Sequence, residues 1–357
     1  MKNACISVRN ISASYDGSAV GTVVTALTAG GYTADKIFLL DDADEREFAQ
    51  TVIECKNFFE NVFLVVPPQR VTAYTAQAAG LLKCEPMPVM EFGQKSFFVI
   101  PYGEEGRRAV LAEVLPYFEK KYSRRRACSV LRFVGAPRER VDSLIAEAKQ
   151  GGEGAFEFFY SEKFGDGRLE IGYDAQAPSD TADAVLRLFV EGLKEYLYAL
   201  DDTPLHMQVV ELLKLRGKKL CAAESFTGGG VTKRIVDVPG ASEILYEGVV
   251  AYANEAKMRR LGVRGETLKT QGAVSDETAY EMAAGLIASG CCTVSVATTG
   301  IAGPASDNTN KPVGLCYLAV GTAESVYVYK YIFEGSREEV TERAINQMLF
   351  LLYKKIR

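Results

Sequence analysis

The stretch Lys219-Leu220-Cys221-Ala222-Ala223-Glu224-Ser225-Phe226-Thr227-Gly228-Gly229-Gly230 is the most informative part of this chain. Its apolar first half predicts a buried strand, and the run after the glycines predicts a helix, so Ser225 lies in a strand–turn–helix. Glycines in such a turn let a ligand approach the backbone, and free N–H groups at a helix start can hold an oxyanion or a phosphate. The stretch alone leaves open whether Ser225 or Thr227 reacts or only caps the helix.

Composition excludes several classes of protein. The 357 residues predict two or three domains, and the net charge of −5 argues against a general affinity for nucleic acid. No apolar run approaches the roughly 18 residues of a transmembrane helix, so we expect no membrane association. The eight cysteines form neither a Cys-x-x-Cys motif nor a Cys/His cluster. We therefore expect no metal site and, without a signal-peptide pattern, a cytoplasmic location.

A single histidine limits the catalytic groups that Ser225 could use. A Ser-His-Asp triad would need His206, which begins a helical pattern far from any turn that carries a nucleophile. If Ser225 is a nucleophile, lysine is the leading candidate for its base. Lysine acts as a base only when neutral, so burial or a nearby cation must lower its pKa by roughly 2–3 units.

The pattern of apolar runs predicts an α/β chain with three domains, separated near Ser123–Arg126 and Asp201–Pro204. The first domain alternates strands with helices, which is typical of a parallel sheet covered by helices. The second fits a β-α-β-β-α unit with a hairpin turn at Gly165–Gly167 and a last helix over 181–200. The predicted domains are residues 1–124, 125–202 and 203–357.

Four polar or glycine-rich sites follow predicted strand ends in the last domain. They are residues 224–230, 251–257, 271–275 and 298–304. In an α/β sheet such turns meet at one edge, where ligands bind. Each site alone is a weak signal, because a Gly-Pro turn is usually only a turn and a helical lysine is usually solvated. Their number and order favour one shared site.

Five blocks of sequence in this domain resemble the C-terminal domain of the CinA family, a nicotinamide-nucleotide amidohydrolase of the PncC type. The blocks are Ala223-Glu224-Ser225-x-Thr227-Gly228-Gly229, Tyr252-x-Asn254-Glu255-x-Lys257, Gly272-Ala273-Val274-Ser275, Gly300-Ile301-Ala302-Gly303-Pro304 and Lys311-Pro312-Val313-Gly314. The resemblance covers roughly 205–357. It implies hydrolysis of nicotinamide mononucleotide (NMN) to nicotinic acid mononucleotide and ammonia, a step of NAD recycling that needs no cofactor.

The resemblance also implies roles for individual residues. Ser225 matches the nucleophile and Lys257 the general base. From the residues themselves we further expect an oxyanion hole from N–H groups around Thr227, Gly228 and Gly229. We expect Tyr252 and Asn254 to shape the pocket and orient Lys257. We expect the loop over 300–304 to bind ribose or phosphate through its backbone, so Thr299, Gly300, Ala302 and Gly303 are candidate substrate-binding residues. For Thr227, Tyr252, Asn254 and Thr299 the alternative is ordinary hydrogen bonding in a packed site.

The resemblance extends more weakly to the first two domains. It implies a MogA/MoeA-like three-layer domain, associated in the family with a metal-dependent ADP-ribose pyrophosphatase, and then a small KH-like α+β domain. The family's Gly-Gly-x-Gly-Pro-Thr-x-Asp-Asp turn is replaced here by Pro67-Pro68-Gln69-Arg70-Val71-Thr72-Ala73, which lacks two N–H donors and all the carboxylates. We therefore expect that the first domain keeps its fold and has lost the pyrophosphatase.

Two further features of these domains have ordinary explanations. Asp41, Asp42 and Asp44 could be considered as metal ligands, but three acidic residues in a loop more often face solvent. The KH-like domain has Ala136-Pro137-Arg138-Glu139 where a Gly-x-x-Gly loop would bind RNA, so we expect no nucleic-acid partner.

The principal alternative to an amidohydrolase is a non-catalytic nucleotide-binding or regulatory protein of the competence/damage-inducible kind. The presence of Ser225, Lys257 and the glycines favours the enzyme. The resemblance further implies a homodimer or larger homo-oligomer.

Overall fold

The computed structural model describes residues 2–9, 17–41, 44–122, 126–150, 156–176, 178–305 and 310–357. Its strands form three sheets in a mixed α/β arrangement. By internal contacts the chain divides into two compact units, Met1–Cys128 with Gly172–Ala177, and Ser129–Ile171 with Pro178–Arg357. The predicted boundary run at 123–125 lies outside the described residues, and the division into three domains stays a prediction.

The first unit contains a five-stranded sheet in the order β2-β1-β3-β5-β4. Its strands are β1 (Asn3–Arg9), β2 (Lys36–Asp41), β3 (Asn61–Val66), β4 (Val89–Phe92) and β5 (Lys95–Pro101). All neighbours are parallel except β4 and β5, so the predicted parallel sheet is confirmed. Sequence reasoning missed β1, whose apolar run is interrupted by Ser7, and the short edge strand β4.

Helices cover both faces of this sheet. They are α1 (Gly17–Ala29), α2 (Glu45–Phe58), α3 (Val71–Leu82), α4 (Gly103–Ala109) and α5 (Leu115–Tyr122). Phe48 of α2 and Tyr74 of α3 pack in one apolar core, while Val23 of α1 and Phe118 of α5 pack in the other. These two cores give the three layers that the sequence predicts.

The family's metal and phosphate turn, which the sequence replaces with Pro67–Ala73, has no counterpart after β3 in the described residues. After β3 the chain forms a short 3₁₀ turn at Pro68–Arg70 and continues directly into α3. The Asp44 side chain accepts a hydrogen bond from the Glu47 N–H and caps α2, while Asp42 lies outside the described residues. Within the described ranges no group of three His, Cys, Asp or Glu side chains could hold a metal ion. The described residues that follow β3 therefore do not fit the metal that the family resemblance implies.

The middle sheet has the order β7-β8-β6-β9. Its elements are β6 (Arg126–Val134), α6 (Arg138–Gln150), β7 (Phe156–Lys163), β8 (Asp166–Asp174), α7 (Ser179–Leu193) and β9 (Leu197–Ala199). The helix predicted over 181–200 is wrong at its end, because the chain leaves α7 at Leu193 and adds β9 to β6. The β7–β8 hairpin is confirmed, although its left-handed residues are Phe164 and Gly165.

The last sheet has the order β11-β10-β12-β13-β14. Its strands are β10 (Leu220–Glu224), β11 (Leu245–Val250), β12 (Val294–Gly300), β13 (Leu315–Thr322) and β14 (Val326–Ile332). β10 is parallel to both β11 and β12, whereas β13 and β14 are antiparallel additions. The carboxyl ends of β10, β11 and β12 therefore lie at the same edge of the sheet.

Helices also cover both faces of this sheet. They are α8 (Leu205–Leu215), α9 (Gly230–Val236), α10 (Asn254–Leu261), α11 (Gly265–Thr270), α12 (Asp276–Ala288) and α13 (Arg337–Ile356). Val209 of α8, Val231 of α9 and Ile345 of α13 share one apolar core, and Leu261 of α10 and Met282 of α12 share the other. No helix of the described ranges combines the length and apolarity that crossing a bilayer requires.

Candidate active site

Ser225 lies in a tight turn directly after β10. Its N–H donates to the carbonyl oxygen of Thr298 at 3.0 Å, which extends the β10–β12 pairing by one residue. The Gly228 N–H closes a turn onto the Ser225 carbonyl at 3.1 Å. Gly228 and Gly229 have φ values of 61° and 96°, a region that residues with a Cβ adopt only under strain. The glycines thus allow the chain to turn and begin α9.

Lys257 is almost completely buried, with 1% of its surface exposed. It lies one turn into α10, the helix that follows β11, so the β10–β11 pairing brings it to Ser225. Its Nζ donates to Ser225 Oγ at 3.0 Å and to the carbonyl oxygens of Ala251 and Tyr252 at 2.8 and 3.0 Å. No carboxylate of the described residues forms an ion pair with this ammonium group.

The environment of Lys257 changes its acid–base behaviour. Burial disfavours the charged form and lowers the pKa of the Lys257 ammonium group to about 8. A large fraction of the side chain is therefore neutral at mildly alkaline pH, and a neutral amine can accept a proton from Ser225 Oγ. A lysine base needs a lowered pKa, and the pKa of Lys257 is lowered. The cause is burial rather than a neighbouring cation.

A buried carboxylate, that of Glu224, organises the turn. Glu224 is 1% exposed and ends β10. Its Oε2 accepts hydrogen bonds from Thr227 Oγ1 at 2.7 Å and from the N–H groups of Gly229 and Val231, both at 3.0 Å. Its Oε1 accepts hydrogen bonds from the N–H and Oγ1 of Thr232 at 2.8 and 2.6 Å. The start of α9 is thus capped by an internal anion.

This arrangement corrects part of the expected oxyanion hole. The N–H groups of Gly228 and Gly229 already donate to the Ser225 carbonyl and to Glu224. The Thr227 hydroxyl donates to Glu224 and lies 2.7 Å from Thr298 Oγ1, so it holds the turn together. Neither Ser225 nor Thr227 caps α9, because Glu224 does so. The expectation missed this because it gave Glu224 no role.

Tyr252 and Asn254 do not orient Lys257 through their side chains. The Tyr252 side chain is 64% exposed, and it is the backbone carbonyl of this residue that accepts from Lys257 Nζ. Asn254 is the exposed first residue of α10. Both residues lie beside the reactive pair and can line a pocket, but the orientation of Lys257 comes from the backbone where the chain leaves β11.

The loop after β12 is fixed mainly by backbone and packing. The buried Thr299 hydroxyl donates to the Ala273 carbonyl at 2.6 Å, which ties this loop to residues 271–275. A Cβ on Gly300 would lie 2.6 Å from the Cys316 Cβ, so only glycine fits there. Ala302 belongs to the apolar core, and Gly303 adopts a φ of 85°.

Two cations near this loop were not predicted. Arg337 is the first residue of α13, and its Nη1 donates to the Gly303 carbonyl at 2.7 Å. A cation in the first turn of a helix opposes the helix dipole, and this was the available sequence signal. Lys311 was quoted in a sequence block without a role, and its Nζ donates to the carbonyls of Gln271 and Val274 at 2.8 and 2.6 Å.

Hydrogen bonds therefore connect all the predicted sites. The pair Lys257–Ser225 joins the first two, the Thr298 carbonyl joins the first to the fourth, and Thr299 joins the fourth to the third. His206 lies instead at the start of α8, where Arg234 and Asp237 are among its charged neighbours. Lys257 is accordingly the basic group at Ser225.

Comparisons with known proteins place this site in a family. A model of the CinA C-terminal domain matches residues 202–356. A protein of Caldicellulosiruptor saccharolyticus described as competence-damage inducible is 36% identical over 246 residues, which are 68% of this chain and 60% of that protein. A CinA-like protein of Chloroherpeton thalassium is 44% identical over 165 residues, which are 44% of this chain and 39% of that protein.

A solved structure is also similar in sequence to part of the chain. The competence damage-inducible protein A (ComA) of Klebsiella pneumoniae subsp. pneumoniae is 31% identical, and the match covers 42% of this chain and 94% of that one with a TM-score of 0.42. The chain spans 60% and 63% of the length of the first curated relatives that it matches. The family model and the curated relatives together show that residues 202–356 of this chain form a CinA C-terminal domain.

Proposed function

We propose that this chain hydrolyses the carboxamide of nicotinamide mononucleotide to nicotinic acid mononucleotide and ammonia. One observation carries the proposal: the Nζ of a buried lysine with a lowered pKa lies 3.0 Å from the Oγ of a buried serine in a glycine turn. A serine and a neutral lysine are sufficient for acyl transfer without a metal or cofactor. The substrate comes from the family resemblance of residues 205–357, and this reaction would serve NAD recycling.

In the first half of the reaction, Ser225 Oγ attacks the carboxamide carbon. The Oγ–C bond forms, the Ser225 proton passes to neutral Lys257 Nζ, and the carbonyl π electrons move to oxygen. When the tetrahedral intermediate collapses, the C=O bond re-forms and the C–N bond breaks. The Lys257 ammonium returns its proton to the departing nitrogen, which leaves as ammonia.

In the second half, water attacks the acyl-enzyme. Neutral Lys257 accepts a proton from the water as its oxygen bonds to the acyl carbon. Collapse of the second intermediate breaks the bond to Ser225 Oγ, which takes the proton back from Lys257. The carbonyls of Ala251 and Tyr252 keep the Nζ in place in both halves, because each accepts one of its hydrogens.

The remaining predicted residues would hold the substrate. The loop Ile301–Pro304 follows β12, and the Thr299 hydroxyl at the end of the strand and the Arg337 side chain fix its position. We assign Gly300, Ala302 and Gly303 to the ribose-phosphate end of the substrate, and Tyr252 and Asn254 to the exposed wall of the pocket. A homodimer or larger homo-oligomer stays part of the proposal.

The decisive experiment measures ammonia release from nicotinamide mononucleotide without added metal, for the wild-type chain and for Ser225→Ala. Turnover by the wild type alone would support both the reaction and its nucleophile. Equal activity in Ser225→Ala would show that another group attacks. A folded wild type that binds the nucleotide without hydrolysing it would favour the regulatory binding protein instead.

A further inference from the structure

Six backbone N–H groups of the reactive turn and the start of α9 have acceptors within the protein. The Ser225 N–H donates to the Thr298 carbonyl, the Gly228 N–H to the Ser225 carbonyl, and the Gly230 N–H to the Thr227 carbonyl. The three further donors at the start of α9 all reach the Glu224 carboxylate; they are the N–H groups of Gly229, Val231 and Thr232. These six donors are therefore not free for a ligand.

Two donors remain, the N–H groups of Phe226 and Thr227. Within the described residues neither has an acceptor, although the two residues are only 7% and 5% exposed. Most backbone N–H groups of folded proteins have a hydrogen-bond partner, so two donors without one inside the protein can serve a ligand. Phe226 and Thr227 are the central pair of the turn closed by Gly228, immediately after Ser225.

We propose that the N–H groups of Phe226 and Thr227 form the oxyanion hole for attack by Ser225, and that Glu224 is the positioning residue that keeps them available. This inference rests on the proposed acyl-transfer function and deepens it. The negative oxygen of the tetrahedral intermediate is the acceptor that the two donors lack.

Glu224 acts on this pair through the rest of the turn. Its carboxylate accepts hydrogen bonds from the Thr227 hydroxyl and from the N–H groups of Gly229, Val231 and Thr232, so it ties the turn to the start of α9. Hydrogen bonds to a charged acceptor are about twice as strong as neutral ones. Because this internal anion occupies the helix start, the oxyanion is left with only the two donors next to Ser225.

Two substitutions loosen this arrangement to different extents. Thr232→Val removes the hydroxyl bond to Glu224 Oε1 and keeps the shape of the side chain. Glu224→Gln places an NH₂ group against at least one N–H donor, whichever way the amide is turned. Thr267→Val is the matched control, because it also removes a buried threonine hydroxyl bond to a glutamate, at 2.8 Å to Glu281, away from the turn.

The experiment combines three measurements on the full chain. They are kcat and KM for nicotinamide mononucleotide, the second-order rate at which diisopropyl fluorophosphate modifies Ser225, followed by intact mass, and the unfolding temperature. In that modification Ser225 Oγ bonds to phosphorus, fluoride leaves, and the serine proton passes to Lys257. Charge builds on the phosphoryl oxygen in the transition state, so the reaction reports on the oxyanion hole without the amide substrate.

We expect Thr232→Val to lower kcat and the modification rate together by about 5-fold, and Glu224→Gln by about 100-fold, the usual effect of one lost oxyanion donor. KM should change less than about 2-fold, because the donors act in the transition state. Thr267→Val should leave both rates at the wild-type value.

Three outcomes would overturn the inference: wild-type modification rates in both folded variants, an equal loss in Thr267→Val, or no modification of the wild type. If Glu224→Gln does not fold, Thr232→Val decides. If Ser225 is modified and Thr232→Val slows that step, while the wild type releases no ammonia from the nucleotide, the oxyanion hole stands and the proposed substrate is wrong.

Discussion

The turns that follow β3 and β10 both leave an inner strand of a sheet, but they carry different polar groups. Both strands are fully buried, and each has parallel neighbours on both sides. The strand β10 ends with the carboxylate of Glu224, and two hydroxyl residues and two glycines follow before α9 begins at Gly230. After β3 it places Pro67 and Pro68, and Gln69 and Arg70 are exposed. A central position at the carboxyl edge of a sheet therefore offers a site but does not create one.

The difference lies in what each turn does with its N–H groups. After β10, Glu224 accepts hydrogen bonds from the donors of the helix start, and the N–H groups next to Ser225 have no acceptor among the residues that the structure describes. After β3, the two prolines have no N–H to offer, and a 3₁₀ turn leads straight into α3. The turn after β10 contains buried polar groups, whereas the turn after β3 begins with two prolines that have no N–H.

The largest effect that this comparison predicts follows from loss of the buried amine beside Ser225. We expect Lys257→Met to lower kcat for ammonia release about 10²- to 10⁴-fold, because a general base contributes that much to proton transfer. Arg70→Met, at the exposed cation of the other turn, should keep wild-type kcat. Steady-state kinetics check both variants, and a Lys257→Met enzyme with wild-type kcat would show that this lysine is not the base.

The second prediction is a tenfold change per pH unit in the activity of the wild type. Only neutral Lys257 accepts the Ser225 proton, so kcat/KM should rise with pH and level off above an apparent pKa of about 8. Initial rates from pH 6 to 10 give this profile. A flat profile, or one that falls between pH 7 and 9, would contradict the assignment.

The third prediction concerns stability. The folded-state pKa of Lys257 is lowered to about 8, so between pH 8 and roughly 10.4 the unfolded chain binds more protons at this residue. Stability contributed by this group therefore rises with pH through that window, by at most about 1.4 kcal/mol per pH unit. Below pH 8 both states are protonated, and the full cost of burying the ammonium is present.

The measurement compares urea unfolding of the wild type and of Lys257→Met between pH 7 and pH 10. The difference in unfolding free energy should move in favour of the wild type by up to about 3 kcal/mol over this range. Arg70→Met should show no such trend against the wild type. A pH-independent difference for Lys257→Met would mean that the lysine titrates normally in the folded state.

The smallest expected effect is an absence of activity in the first unit. We predict that the full chain does not hydrolyse ADP-ribose above background with Mg²⁺ or Mn²⁺, since Pro67–Arg70 offers no carboxylate to a metal. Product formation is measured by chromatography beside a metal-free control. Metal-dependent hydrolysis that persists in Ser225→Ala would show that the two turns differ less than their chemistry indicates.

Much of the architecture could be predicted from local patterns. The apolar run before Glu224 and the three glycines after Thr227 were sufficient to predict β10, the turn and α9. β9 was missed because Leu197, Tyr198 and Ala199 continue an apolar helical pattern, and only pairing with β6 makes them a strand.

The sequence predicted which residues belong to the site better than it predicted their contacts. The sequence blocks point to Ser225 and Lys257, but their contact depends on β10 and β11 being neighbours, which no local pattern specifies. The role of Glu224 was hidden for a similar reason. Its carboxylate accepts hydrogen bonds from residues on both sides of the turn, and these residues come together only in the folded chain.

The proposed nucleophile and base lie close together along the chain, which matters for protein engineering. Ser225 follows β10, and Lys257 lies on the helix that follows the neighbouring β11, so both belong to one uninterrupted strand–helix–strand–helix segment. A circular permutation that opens the chain between Ala323 and Glu324, in the turn between β13 and β14, would leave that segment whole. An engineered copy of the reactive pair could therefore take both residues in one segment, with β12 supplied beside it to hold the turn at Thr298.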